Sequence, residues 1–244
     1  GVQLRVIRVP YSNRLGYSQR IAAFLKFALV ACWEGMRTTE VDVVFATSTP
    51  LTIAIPGMLA RLRHRCPMVF EVRDLWPESA IAMNLVREGS LFARVASWLE
   101  AFCYRRAHHV NALTQGIRTG VIAKGVPADR VTLITNGVDR PTTPTAAATL
   151  PVADDAYLAM YVGAHGTYSS LDTVLQAAWL LRGRDDIRFM LVGGGDQKPG
   201  LVAWAQQMGL DNVVFVDPIP KTDVPGWLAR ADVCLLPYQD KALF

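Results

Sequence analysis

Gly163, His165 and Gly166 stand between an apolar run and a helical pattern, an order that can hold an anion. The run from Ala156 to Val162 is uncharged and β-prone, as in a buried parallel strand. Glycine lets the backbone come close to a ligand or take a positive φ. Ser169 or Ser170 is placed to cap the next helix, in which Leu171, Val174, Leu175, Ala178 and Leu181 recur at helical spacing. A helix N-terminus facing the carboxyl end of a parallel strand gathers unpaired N–H groups and partial positive charge, which suits a phosphate or diphosphate. An ordinary βα turn fits the same residues. His165 either stacks on or bonds such a group, or caps the helix.

Arg73 and Asp74 form the second candidate. They come directly after a strand predicted over Met68 to Val72, at the end of a parallel sheet where ligands bind. A salt-bridged pair, or an Asp that caps the helix after Pro77, accounts for them equally. Asn136 with Gly137 reads as a turn near a domain junction. His108 and His109 read as surface or dipole-paired residues at a helix end. No D-x-D triad occurs and the histidines lack ligand spacing, so no metal site is expected.

Alternating strands and helices are what would position these residues. Strands are predicted at Leu4 to Pro10, Val41 to Ala46, Met68 to Val72, His109 to Leu113 and Val131 to Ile134. Helices are predicted at Ser18 to Gly35, after the turn beyond Ala46, at Ser79 to Val86, Ser90 to Ala107 and Gln115 to Lys124. Arg140 to Ala153, RPTTPTAAATLPVA, lacks periodicity and reads as a linker. Alternation then resumes with strands at Ala156 to Val162, Ile187 to Val192, Val213 to Val216 and Val233 to Leu236, and helices at Leu171 to Leu181, Gly200 to Met208 and Thr222 to Ala231. The fold class is therefore α/β with two Rossmann-like, parallel-sheet domains, residues 1–140 and 154–244, joined by the linker at 141–153. Two such units put a cleft between them.

The composition narrows the class further. A 51% hydrophobic and 19% charged chain is globular and soluble, not disordered. The longest apolar run, Ile21 to Trp33, is broken by Lys26 and is too short to span a bilayer. No signal peptide is visible, and the start at Gly1 predicts that an N-terminal segment is missing. The four cysteines, with no C-x-x-C pair, read as reduced, mostly buried thiols of a cytoplasmic protein. Residues 1–140 carry 18 Lys and Arg against 10 Asp and Glu, whereas residues 141–244 carry 7 against 11. A basic first half suits anionic lipid or a phosphorylated substrate, and no nucleic-acid-binding motif accompanies the charge. In the first helix, Phe27, Val30 and Trp33, flanked by Arg20, Lys26 and Arg37, make a stripe that either lies on a membrane surface or is buried on two sides.

Four pieces in order carry a resemblance that covers nearly the whole chain. They are EVRDLWPES; the NGVD turn at Asn136 to Asp139; YVGAHG with LDTVLQAA; and FMLVGGGDQK with LDNVVF and ADVCLLP. The set resembles the middle of a family-4 retaining glycosyltransferase of the GT-B fold. Within that family it is similar to bacterial surface-polysaccharide enzymes of the N-acetylfucosaminyl transferase kind. The resemblance implies a nucleotide-sugar donor, with UDP the expected nucleotide, and no cofactor. It implies transfer of an N-acetylamino sugar to a polyprenyl-diphosphate-linked or glycan acceptor. The expected location is cytoplasmic and peripheral, on the inner face of the cell membrane, against an anionic lipid surface. The second domain would cradle the donor through Gly163, His165, Gly166, Gly193, Gly195, Pro237 and Tyr238. Arg73 and Asp74 would lie near donor sugar and acceptor, as the catalytic candidates, with Asn136 at the domain junction. Front-side displacement needs no protein nucleophile.

The chain departs from the family pattern in three places. Ala164 and Ser169 stand where many members carry an Arg and a Lys. The N-terminal glycine loop and the two-glutamate donor motif are absent, so the chain is expected to be an internal fragment, inactive alone. Other readings stay open: an NAD(P)-dependent Rossmann oxidoreductase, with Asp217 in the ribose position but Lys198 in place of the third glycine; a non-catalytic membrane-associated scaffold; and a GT-B-type sugar epimerase.

Overall fold

The computed structural model describes residues 2–10, 17–48, 50–82, 84, 86–138, 149–153 and 155–239. Most of the stretch read as a linker lies outside them, as do Asp139 and the last residues of the chain. The chain divides into two compact units between Gly137 and Val138.

The first unit is a four-stranded parallel sheet, in the order β1 (Val44–Thr47), β2 (Met68–Val72), β3 (His109–Ala112) and β4 (Val131–Leu133). Between the strands come α2 (Ala54–His64), α3 (Glu78–Ala82) with α4 (Leu91–Arg106), and α5 (Gln115–Ala123); α1 (Tyr17–Arg37) precedes them. Thr47 pairs with Glu71, Val72 with Ala112 and Ala112 with Leu133, so the strands end level and their loops leave from one edge. The core packs Met68, Phe70, Val72 and Val110 of the sheet against Ala54 and Met58 of α2, Cys103 and Tyr104 of α4 and Val121 of α5.

The second unit has the strand order β7 (Val213–Val216), β6 (Ile187–Val192), β5 (Tyr157–Val162) and β8 (Val233–Cys234), again all parallel. Its helices are α6 (Leu171–Leu180), α7 (Lys198–Gln207) and α8 (Val224–Leu228). Strand period 2 sorts its side chains. Ala159, Tyr161, Phe189 and Leu191 face α6 and α7, while Leu158, Met160, Met190 and Val192 face a second layer that includes Leu150 and Trp227. Burial on both faces is why β5 and residues 189–192 of β6 read as unbroken apolar runs. Leu150 and Val152, within the stretch read as linker, pack into this unit.

The α/β class with two parallel sheets is as the alternation predicts. Several elements differ. Residues 4–10, expected to be a strand, pair with no described strand, and Leu4 and Val6 are exposed: weak alternation without a neighbouring edge does not make a ladder. The first helix does not stop at Gly35 but runs on to Arg37, because Gly35 is a packing position. A Cβ there would sit 3.4 Å from that of Ala60 on α2. α3 and α8 each span five residues, shorter than predicted. α7 begins at Lys198, with Pro199 in the first turn, where a missing N–H costs nothing.

Candidate functional site

At the carboxyl edge of the first sheet lies a cavity of about 540 Å³, lined by Arg73, Asp74, Leu113, Thr114, Thr135 and Asn136. Three of the predicted site residues therefore share one concavity, with two threonines that the sequence reading missed. Arg73 leaves β2 with its backbone N–H donated to Ser48 Oγ at 2.9 Å, and Ser48 is buried behind it. Its guanidinium lies 3.4 Å from Glu71 Oε2, a carboxylate that also accepts from Thr47 Oγ1 at 2.7 Å. The ion pair of Arg73 is thus with Glu71, and its side chain stays 41% exposed and able to meet a ligand. Thr114 caps α5 through its Oγ1, which accepts from the Ile117 N–H at 3.1 Å. A cation, a carboxylate, hydroxyls and an amide around one hollow form the donor and acceptor mixture that binds a polyhydroxylated or phosphorylated molecule.

The loop that carries Arg73 and Asp74 is pinned from below by groups that no motif marks. Glu100 of α4, 2% exposed, accepts the Trp76 N–H at 3.0 Å and the Tyr104 hydroxyl at 2.7 Å. Lys124 bonds its other oxygen, the Trp76 carbonyl at 3.1 Å and Glu78 Oε2 at 2.8 Å. Burial pushes the Glu100 carboxyl above its ordinary value, while Lys124, Tyr104 and the Trp76 N–H pull it down.

In the second unit the two glycine loops meet main chain to main chain. Gly163 N–H donates to Val192 O (3.0 Å), His165 N–H to Gly194 O (2.9 Å), Gln197 N–H to His165 O (3.1 Å) and Gly193 N–H to Val216 O (3.0 Å). A Cβ on Gly193 would fall 1.9 Å from Gly163 O, and one on Gly195 would fall 2.3 Å from His165 O. Loop-to-loop contact is therefore what demands these glycines. It also corrects the expected cradle: the amides of Gly163, His165 and Gly193 are spent inside the protein. Those of Ala164, Gly166 and Gly195 make no hydrogen bond to another described residue.

The His165 side chain is fully buried, with ring centroids 6.0 Å from Tyr161 and 6.3 Å from Phe215, and neither ring nitrogen has a partner among the described residues. Burial, and then the charge of Lys198, lower its pKa to about 4, so it is neutral near pH 7 and caps nothing. Ser170 begins α6 in a left-handed conformation without a side-chain cap. Ser169 Oγ instead donates to Ala164 O at 2.8 Å and lies 2.9 Å from the Tyr161 hydroxyl. Gln239 donates from its backbone to Tyr168 O (3.1 Å) and from its side chain to Thr167 O (2.7 Å). That tether brings the chain at Pro237 and the exposed Tyr238 beside the first glycine loop. Lys198 Nζ donates to Gly193 O (2.9 Å), Val216 O (2.8 Å) and Asp217 Oδ1 (2.8 Å). Asp217, which a dinucleotide ribose would need, is held by that lysine.

A family model described as "Glycosyl transferase 4-like domain" matches residues 1–137, more than half of the chain. One described as "Glycosyl transferases group 1" matches residues 156–243. The chain belongs to the group 1 glycosyltransferases. Among curated relatives it is 26% identical, over 204 residues, to the protein named as a colanic acid biosynthesis glycosyl transferase, WcaI, of Escherichia coli (strain K12); the match covers 79% of this chain and 49% of WcaI. Among solved structures it is similar to Anabaena Alr3699/HepE in complex with UDP and glucose, with TM-score 0.64 and 20% identity over 95% of this chain and 61% of that one. It is also similar to the sucrose-phosphate synthase of Thermosynechococcus elongatus, with TM-score 0.69 and 17% identity over 92% and 57%. This glycosyltransferase chain thus spans about half the length of its curated relative. Family and GT-B fold are those that the four motifs resemble.

Proposed function

We propose that the chain is the working centre of a glycosyltransferase that moves a sugar from a nucleoside diphosphate, UDP by preference, to an acceptor in surface-polysaccharide synthesis. The observation that carries the donor half is the paired glycine loops at the ends of β5 and β6. They leave the amides of Ala164, Gly166 and Gly195 for a diphosphate, with Pro237 and Tyr238 alongside. The complexes of HepE with UDP and with UDP-glucose support a nucleotide-sugar ligand for this fold. The acceptor half is the Arg73, Asp74 and Asn136 cavity: Arg73 steadies phosphate charge and Asp74 binds sugar hydroxyls or orients the acceptor.

Transfer proceeds with retention. The anomeric carbon–phosphate oxygen bond breaks as the acceptor oxygen adds from the same face, and the departing diphosphate takes the acceptor proton. The sugar is an N-acetylamino sugar and the acceptor a polyprenyl-diphosphate-linked saccharide at the cytoplasmic face of the membrane. Among the described residues no helix is long and apolar enough to cross a membrane. Docking falls to the basic first unit, where α1 exposes Leu29 and Trp33 with Arg37 over the indole at 5.3 Å. On α4, Leu91, Val95 and Trp98 are exposed, and Arg106 lies 5.4 Å over Phe102. Aromatic and basic groups together suit an anionic leaflet.

Calorimetry of the full-length protein against UDP-N-acetylglucosamine, UDP-N-acetylgalactosamine, UDP-glucose and GDP-mannose tests the donor half. At least one UDP sugar is expected to bind and to lose about tenfold affinity in Gly166→Pro, which removes an amide donor. Failure of every nucleotide sugar to bind overturns the reading.

A further inference from the structure

We propose that Lys124 and Glu100 are positioning residues of the transferase, locking the loop Arg73–Glu78 so that Arg73 and Asp74 are held ready at the cavity. The inference rests on the reading of that cavity as the acceptor side.

The loop runs beside α5 from its N-cap to its C-cap and is fastened to it twice. At the top, Thr114, the N-cap of α5, lines the same cavity as Arg73 and Asp74. In the middle, Leu75 seats directly on Gly120: a Cβ there would lie 2.4 Å from Leu75 Cδ1. At the bottom, Lys124 spends its three N–H donors on the Trp76 carbonyl, Glu78 and Glu100. Glu100 reaches back from α4 to the Trp76 N–H, so both backbone polar groups of residue 76 are fixed, one by each member of an ion pair. The lock holds Leu75 and Trp76 on the core of the first unit, while residues 73 and 74 of the same loop line the cavity. What it does is remove freedom from the two side chains before substrate arrives.

The sequence hides this arrangement. Glu100 on α4 and Lys124 at the C-cap of α5 are 24 residues apart, and Glu100 interrupts the apolar face of α4.

The test uses the full-length enzyme with two readouts. In the first, backbone hydrogen exchange is measured in Lys124→Gln and Gly120→Ala. Peptides over residues 73–78 are expected to exchange at least about tenfold faster, with β2 and β3 unchanged. Unchanged loop exchange overturns the lock, whatever the donor proves to be. In the second, UDP release is measured from UDP-N-acetylglucosamine, UDP-N-acetylgalactosamine and UDP-glucose with a synthetic prenyl-diphosphate N-acetylglucosamine acceptor. Lys124→Gln is expected to lower kcat roughly 10- to 100-fold while donor KM holds, and Lys124→Arg to restore most of it. Wild-type kcat falls on the acid side as Glu100 takes a proton, against Lys124 at the C-cap of α5, Glu78 of α3 and its own-helix neighbours Cys103 and Tyr104; Glu100→Gln loses that limb. Full kcat in Lys124→Gln overturns the positioning role. No turnover by the wild type with any donor overturns the parent reading and the role with it, while the exchange readout still decides the lock.

Discussion

His165 shows how a single side chain can look like a ligand-binding group and behave as a core residue. Flanked by glycines at a strand end, it has the setting of a phosphate contact, yet it is fully buried and without a hydrogen-bond partner among the described residues. Its depressed pKa, about 4 against 6.5, fixes the sign of a pH effect. Below about 6.5 the unfolded chain takes up a proton that the folded chain refuses until about 4, so stability falls as pH drops through that window. Unfolding free energies from urea titrations at about pH 7 and about pH 5 should differ by roughly 2 kcal/mol from this group, and that difference should vanish in His165→Phe. An equal acid loss in the variant would show that the histidine is not responsible. Sequence placed His165 in the right loop but was silent on where its ring points, since that depends on Tyr161 and on Phe215, fifty residues away.

Among the elements, long apolar strands were the most legible. β2, β6 and β7 have the predicted bounds, because each is a β-branched and apolar run closed by a change of composition at both ends. Short elements were less so: α3 and α8 span five residues each, and residues 4–10 have alternation but no partner among the described strands. The glycine loops were found for a different reason from the one that holds them. Gly195→Ala should cost roughly 2–4 kcal/mol, since its Cβ would meet the His165 carbonyl and force the two loops apart. Thermal unfolding of the second unit checks this; an unchanged midpoint would mean the loops are not in contact. Thr135 and Thr114 could have been suspected from their places beside Asn136 and before α5. The Glu100–Lys124 pair could not, because no periodicity or motif ties the two together.

Over the molecule as a whole, the charge division matters more than the net +4. The first unit holds the basic excess together with the exposed tryptophans Trp33 and Trp98. Co-sedimentation of the full-length protein with vesicles containing phosphatidylglycerol should fall steeply with salt, and should drop severalfold in Trp33→Ser with Trp98→Ser. Binding that ignores salt and both tryptophans would remove the membrane from the proposal without touching the donor site. Two separately cored units also let a nucleotide sugar raise the midpoint of one while leaving the other where it was.

The cysteines, which carry no chemistry of their own here, make the molecule easy to instrument. Cys32, Cys66 and Cys103 are buried, and burial with the nearby Glu100 charge pushes the Cys103 thiol up to about 12. Cys234 alone among the four is exposed, on β8, three residues before Pro237 and four before Tyr238. A maleimide dye would mark that position without any engineering, and its emission would register the arrival of a sugar nucleotide at the adjoining loop.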